Sequence, residues 1–309
     1  MRHTRQLLAI VASGALALPM TTVVQAGEAT LYGSLRTGVI MHNPDDDGDT
    51  TWDIGSRGDS LSSRAGIKAS HELDGGMTVG ARIEKKLGTW GTRLQYASVS
   101  ADGFGTLSVG QQWTTFYNAT TIDGAYFFGG NSDVIFRSNG VQYSSDFGGP
   151  FNFSAMVGDN NSASEEKVGD NATAQGDGMD VVQLSGTLGV GGVNLSVGWM
   201  DNDEVAEDIG VRASGSFGPL GYKIGGGTRE MEDGTDIDRF GAFASYAVME
   251  GGTLYAEYED IDSDNDADDN DHLVLGYAHN PAPGFTVIAE FMTPDSGTDK
   301  GTVALKVDF

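Results

Sequence analysis

Ser63–Lys86 reads SRAGIKASHELDGGMTVGARIEKK. Side chains along a strand alternate between two faces, so every second residue shares one environment. In Ser63–Leu73, Ala65, Ile67 and Ala69 fall on one face, with Arg64, Lys68 and Ser70 on the other. In Met77–Lys86, Met77, Val79, Ala81 and Ile83 oppose Thr78, Arg82 and Glu84. Between the two runs, Asp74-Gly75-Gly76 supplies residues that accept the positive φ of a tight turn. The stretch reads as a hairpin whose strands each have an apolar and a polar face.

The same alternation recurs outward in both directions. Leu31, Leu35 and Val39 oppose Tyr32, Ser34 and Arg36. Val193, Leu195, Val197 and Trp199 oppose Asn194 and Ser196. Phe285, Val287, Ala289 and Phe291 oppose Thr286 and Glu290, and Val303, Leu305, Val307 and Phe309 oppose Thr302, Lys306 and Asp308. Short Gly- and Pro-rich connections (74–76, 102–105, 146–150, 189–192, 218–221, 249–252 and 280–284) alternate with mostly longer polar or acidic ones. The latter lie near 42–60, 88–91, 114–138, 159–177, 201–208, 230–236, 262–271 and 293–299. Fifteen connections make sixteen strands, and an even number of strands with short turns at one rim and long loops at the other describes an outer-membrane barrel. The expected fold is all-β, a transmembrane 16-stranded antiparallel β-barrel with an aqueous lumen. Alternation alone also fits a secreted soluble sandwich or propeller, in which the apolar face would be an internal core. The regular exchange of short and long connections, and a last strand running to Phe309, favour the barrel.

Composition narrows the function. Residues 1–26 carry Arg2 and Arg5, an apolar run Leu7–Leu18 and small Ala26, which reads as a signal peptide cleaved after Ala26, leaving 27–309 as the barrel. The formal charge of −26 becomes more negative once those arginines leave, which argues against nucleic acid as a partner. The absence of cysteine excludes a disulfide framework and thiolate chemistry. No later apolar run is long enough for a membrane helix, but a closed barrel satisfies its backbone without one. No HExxH pair or G-x-S-x-G elbow occurs, so an enzyme is not expected, and no cofactor is implied. A barrel hydrolase with a rim site, or an adhesin, remains a remote alternative.

Thr114–Ser138, TTFYNATTIDGAYFFGGNSDVIFRS, interrupts two strand-like runs. Loops beyond about 12–15 residues are usually functional or disordered. Phe116, Tyr117, Tyr126, Phe127 and Phe128, with Asp123 and Asp133 as its acids, do not suit a disordered linker. This loop is expected to fold into the barrel and narrow the pore.

Several blocks together resemble the Gram-negative general diffusion porins. They are Ser63–Met77, Arg93–Val99 (RLQYASV), Gly103–Gln112 (GFGTLSVGQQ), Phe136–Ser145 (FRSNGVQYSS), the start Thr30-Leu31-Tyr32-Gly33 and the terminal Phe309. The resemblance is dense over about 28–157 and at the final strand, and rests on strand rhythm between. It implies a trimeric, water-filled channel for passive diffusion of ions and small hydrophilic solutes, with the third long loop, 114–138, as eyelet. It further implies residence in the outer membrane with lipid and lipopolysaccharide as neighbours, and Phe309 as the mark read by the assembly machinery. Here the second long connection, often a latch onto a neighbouring subunit, shrinks to about Gly88–Gly91.

Charge rows lining a pore bias which ion enters, and low-dielectric walls focus that field. Parity places Arg36, Arg64, Lys68, Arg82 and Arg93 on the lumen face, with Asp123 and Asp133 on the loop and Arg137 where it rejoins the wall. Glu257, Glu259 and Glu290 point inward from later strands, with Arg212, Lys223, Arg239 and Lys306 as scattered bases. These glutamates and the net charge suggest a mild cation preference; the arginine cluster supports the alternative, an anion-preferring or substrate-selective channel. Asp262, Asp264 and Asp266 have the spacing of a calcium loop, but Ala267 and Leu273 replace its required Gly and Glu, so no metal site is assigned. That loop and Asp45–Asp49 read as solvated acidic loops, with weak divalent bridging to lipopolysaccharide as the alternative. Tyr96, Tyr143, Trp199, Tyr222, Tyr246, Tyr258 and Tyr277 have apolar-face parity and are candidates for interfacial girdles.

Overall fold

The two ends of the barrel sequence meet. Gly33 N–H donates to the Phe309 carbonyl at 2.8 Å, and Phe309 N–H donates to the Gly33 carbonyl at 3.1 Å. The computed structural model describes residues 27–44, 48–55, 63–128, 137–159, 179–202, 206–264, 271–294 and 297–309. The expected signal peptide, Asp133 and most of the Asp-rich loop lie outside them.

The strands in chain order are β1 (Glu28–Pro44), β2 (Thr51–Gly55), β3 (Arg64–Leu73), β4 (Met77–Lys86), β5 (Thr92–Ala101) and β6 (Gly105–Trp113). After a short helix, α1 (Thr115–Thr120), come β7 (Arg137–Ser145), β8 (Phe151–Asp159), β9 (Val181–Val190), β10 (Val193–Asn202) and β11 (Ala206–Phe217). The wall is completed by β12 (Leu220–Met231), β13 (Asp236–Met249), β14 (Gly252–Ser263), β15 (His272–Ala282), β16 (Phe285–Pro294) and β17 (Thr298–Asp308). From β3 onward each strand pairs antiparallel with its sequence neighbour, β1 pairs with both β2 and β3, and β17 returns to pair with β1 from Ser34 to Pro44. The sheet closes on itself through β1 and β17, so every strand except the short β2, which pairs only with β1 among the described residues, has a backbone partner on both sides.

The seventeen segments fill sixteen positions. One edge of β1 pairs through Glu28–Ser34 with β3 and through Gly38–His42 with β2. Thus β2 and β3 are halves of one interrupted strand. This corrects the expectation of a single connection over 42–60, because Thr51–Gly55 is strand. At the break, Ser63 replaces a ladder partner: its hydroxyl accepts from Arg36 N–H at 2.9 Å and donates to the Arg36 carbonyl at 3.1 Å. Elsewhere the turns fall where glycine predicts them. Gly75 and Gly76, for example, take φ of 90° and 77° in the hairpin quoted above. The expected connection at 201–208 is shorter, since β10 runs to Asn202 and β11 begins at Ala206.

Burial is inverted relative to a soluble protein. The apolar faces look outward: Leu31 is 64 %, Ile67 55 % and Val303 60 % exposed, whereas Gln183 and Glu257 on polar faces are wholly buried. A soluble sandwich would bury the first set, so that reading is excluded; a band of apolar side chains around a closed barrel faces lipid. Among the described residues no helix is long and apolar enough to cross a membrane. Of the aromatic girdle candidates, Tyr246 and Tyr258 are exposed on this outer face, and Trp199 shares the parity of exposed Leu195 and Val197. Tyr96 does not. It pairs directly with Arg82, and its neighbours Gln95 and Ala97 are the exposed ones, so it faces the lumen.

Candidate functional site

The long loop begins with a helix the sequence reading did not anticipate. Thr114 caps it, its side chain accepting from Tyr117 N–H at 3.2 Å. Phe116, Ala119 and Thr120 share one helical face and are buried. That i, i+3, i+4 spacing behind a Thr cap was the available signal. Phe116 packs with Val181 of β9 and Met200 of β10, both inward-facing, and its N–H donates to Gln183 at 3.1 Å. The helix therefore lies inside the barrel, against β9 to β11.

From there the loop follows the inner wall in strand order. Arg212 of β11 donates to the Thr121 carbonyl at 2.8 Å, and Lys223 of β12 donates to the Asp123 carbonyl. Glu257 of β14 accepts from the N–H groups of Gly124 and Ala125 at 2.6 and 2.9 Å. Glu290 of β16 accepts from Tyr126 and Phe127 N–H at 2.5 and 2.9 Å. Tyr255 lies over Gly276 of the neighbouring strand, where a Cβ would collide with its ring, and so reaches Glu290 with its hydroxyl at 2.7 Å. Arg36 of β1 donates to the Tyr126 carbonyl at 3.1 Å. Cations thus hold loop carbonyls, and carboxylates hold four successive loop N–H groups. Such charge-assisted bonds are the strong ones. The aromatic tip then buries Phe127 among Ile40, Tyr255, Ala278, Ile288 and Ala304, with Tyr126 and Phe128 packed alongside.

The expected residues divide accordingly. Glu257 and Glu290 face inward, but as loop anchors that are buried rather than as open charges. Glu259, 2 % exposed, lies 3.4 Å from His272. Asp123 sits on the wall side of the loop, close to Lys223 and, more weakly, Arg36. Burial pushes its carboxyl above the ordinary carboxylate range, and these cations offset part of the rise. Burial, with Asp123 adding to it, also pushes the neighbouring Tyr117 hydroxyl up to about 12.

On the strands across the lumen, Arg64 and Lys68 of β3 lie on the inward face, opposite Ser34 and Thr30 of β1. Neither makes an ion pair or side-chain hydrogen bond among the described residues. Arg82 and Arg93 share one carboxylate, Glu84, at 2.9 Å each, and Tyr32 joins them by donating to Glu84 at 2.9 Å. An irregularity between Glu84 and Lys85 lets Arg93 turn inward beside Leu94, where strand parity alone would separate them. Arg93 and Arg137 also approach the Trp113 ring, at 5.8 and 5.1 Å, and Trp113 stacks on Tyr117 at the loop's root. Sequence reasoning missed Tyr32 and Glu84 as the partners that order this cluster. It also missed a buried network in which Asp208 holds Arg229 at 3.0 Å and Arg239 at 2.6 Å.

A barrel with an inward-held loop facing a basic wall is an arrangement for passage rather than bond-making. A sequence model of the family described as Gram-negative porin matches residues 7–299. No curated protein sequence matches the chain. Among solved structures, the anion-selective porin from Comamonas acidovorans superposes with a TM-score of 0.74 at 19 % identity, over 92 % of this chain and all of that one. The trimer form of OmpT, an outer membrane protein of Vibrio cholerae, gives 0.69 at 21 % identity, over 92 % of this chain and 100 % of that one. Salmonella typhi OmpF in complex with daunomycin gives 0.67 at 15 % identity, over 92 % and 98 %. At these identities the likeness is one of fold.

Proposed function

The chain belongs to the Gram-negative porins, and from that premise we propose that 114–138 is its constriction loop and that the eyelet prefers anions. The protein is an outer-membrane channel for diffusion of small solutes, not an enzyme. The preference rests on one observation: the inner-wall carboxylates Glu84, Glu257 and Glu290 are engaged, while two of the bases, Arg64 and Lys68, make no ion pair or side-chain hydrogen bond among the described residues. Glu257 and Glu290 bind loop N–H groups, and Glu84 serves both Arg82 and Arg93. Arg64 and Lys68 then face the lumen without an ion-pair partner among the described residues, and Arg64 acts on Glu84 only through space. The cation preference expected from Glu257, Glu259 and Glu290 loses its premise, since none of the three is more than 4 % exposed. Any field from the acids of the long connections decays over roughly 8 Å at about 0.15 M salt.

The remaining features of the reading are a signal peptide cleaved after Ala26, assembly through Phe309, contact with lipopolysaccharide, and a homotrimer. The trimer form of the Vibrio cholerae neighbour supports the last; three equal conductance steps would report it. The reversal potential in a KCl gradient across a planar bilayer tests the preference. A sign showing anion selectivity is expected, shifting toward cations in Arg64→Glu and Lys68→Glu. Cation selectivity of the wild-type channel would overturn it.

A further inference from the structure

Part of the loop rests on wall positions that have no side chains. Gly198 of β10 and Gly210 of β11 stand opposite each other, and Gly241 lies two strands on, in β13. A Cβ on Gly198 would stand 2.9 Å from Phe116 Cδ2 and from Thr120 Cγ2. On Gly210 it would stand 2.7 Å from Thr120 Cγ2 and 3.2 Å from Phe116 Cζ. On Gly241 it would overlap the Ile122 side chain. Real Cβ atoms essentially never come within 3.0 Å of another heavy atom. For Gly198 and Gly210, the three nearest atoms all belong to the loop, not to the sheet. Gly227 differs, because a Cβ there would meet the Ile209 carbonyl of the neighbouring strand. Glycine weakens the interior of a strand, so its presence marks a close approach of something else. Behind the loop, between Thr120, Ile122, Gly210 and Gly241, the remaining cavity is about 20 Å³, room for a single water. The loop therefore rests on the wall with no slack to retreat.

We propose that Gly198, Gly210 and Gly241 determine the size selectivity of the channel, by fixing how far the loop stands off the wall and so the bore left to solutes. The inference rests on the reading of 114–138 as the constriction. A methyl group at Gly210 or Gly241 lands on the Thr120 or Ile122 side chain, and with only about 20 Å³ of cavity beside them to take up a rotamer change, the loop is expected to move toward the axis. Size selection is thus written on two sides of one contact, with loop side chains matched to missing wall side chains.

The test is single-channel conductance and the solute size cut-off of Gly210→Ala and Gly241→Ala. Both are expected to lose conductance and exclude smaller solutes than the wild type. Adding Ile122→Ala to Gly241→Ala is expected to restore the wild-type bore. Gly186→Ala, whose new methyl would stand at ordinary contact distance from Phe151 (3.4 Å) and the Asn152 carbonyl (4.0 Å), is expected to change nothing. Unchanged or raised conductance in Gly210→Ala and Gly241→Ala overturns the inference while a conducting wild type leaves the channel reading standing; a wild type without conductance overturns that reading instead. If Gly241→Ala yields no folded barrel, folding restored by Ile122→Ala supports the pairing. A double variant that also fails assigns Gly241 to the sheet's own packing and overturns it.

Discussion

The Glu290 carboxylate lies 2.9 Å from the backbone nitrogen of Phe127, across 163 positions of chain. Its other oxygen accepts from Tyr126 N–H and from the Tyr255 hydroxyl. One wall residue therefore fixes the tip of a loop that begins on the opposite side of the barrel. With Glu257 it satisfies four successive backbone donors, which a loop buried away from bulk water cannot leave unmade.

Replacing Glu257 and Glu290 by Gln keeps an acceptor but removes the charge. Hydrogen bonds to charged groups are worth about 1.5–3 kcal/mol, against about 1 for neutral ones. A loss of about 1–2 kcal/mol at each anchor raises the undocked population of the loop by roughly 5- to 30-fold per anchor. The double variant is expected to show open-channel noise and transient steps to higher conductance, with an unchanged thermal transition of the barrel. A quiet channel of wild-type conductance would show that the anchors are not needed.

Among the described residues Glu84 is the single carboxylate ion-paired with Arg82 and Arg93, and it is itself 2 % exposed. Removing one partner of a buried pair costs about 3–5 kcal/mol. The low end applies because the Arg82 side chain is one-third exposed and solvent screens it. Glu84→Gln is expected to lower barrel stability in a denaturant titration and to shift the reversal potential further toward anions. An unshifted potential would separate this cluster from selectivity.

Asp123 gives the channel a pH dependence whose sign is fixed. Burial raises its carboxyl above the ordinary value, so the docked loop binds a proton more readily than an undocked one. Docking is favoured below the ordinary carboxylate pKa of about 3.9 and loses that contribution as pH rises through the raised value. Lys223, Arg36 and Tyr117 face the same group and hold part of the charge in place. The Asp123→Asn channel is expected to match wild type below this window and to be quieter than wild type above it. Equal noise at every pH would contradict the assignment.

Much of this was legible in the sequence, for physical reasons. A barrel wall in lipid needs one apolar and one polar face per strand, and period two exposes that at Ile67 and Arg82 without any structure. Positive-φ turns need glycine, so Gly75 and Gly76 mark a hairpin. The break between β2 and β3 was not legible, because both halves pair with β1 and the register offset is a property of two strands together. Arg93 and Leu94 both turn inward through an irregular register, which parity cannot foresee. The same rule erred at Tyr96, assigned outward but facing the lumen opposite Arg82. The roles of Glu257 and Glu290 were half legible. Parity gave their direction, but their partners are backbone N–H groups, identical at every residue and so invisible to any motif.

The most direct measurement of the central claim, that the loop held by Glu257 and Glu290 sets the bore, is the conductance of a channel lacking Asp123–Asn131. The account predicts a folded barrel of higher single-channel conductance that admits larger solutes than the wild type. A folded deletion variant with the wild-type conductance and the wild-type size cut-off would contradict it.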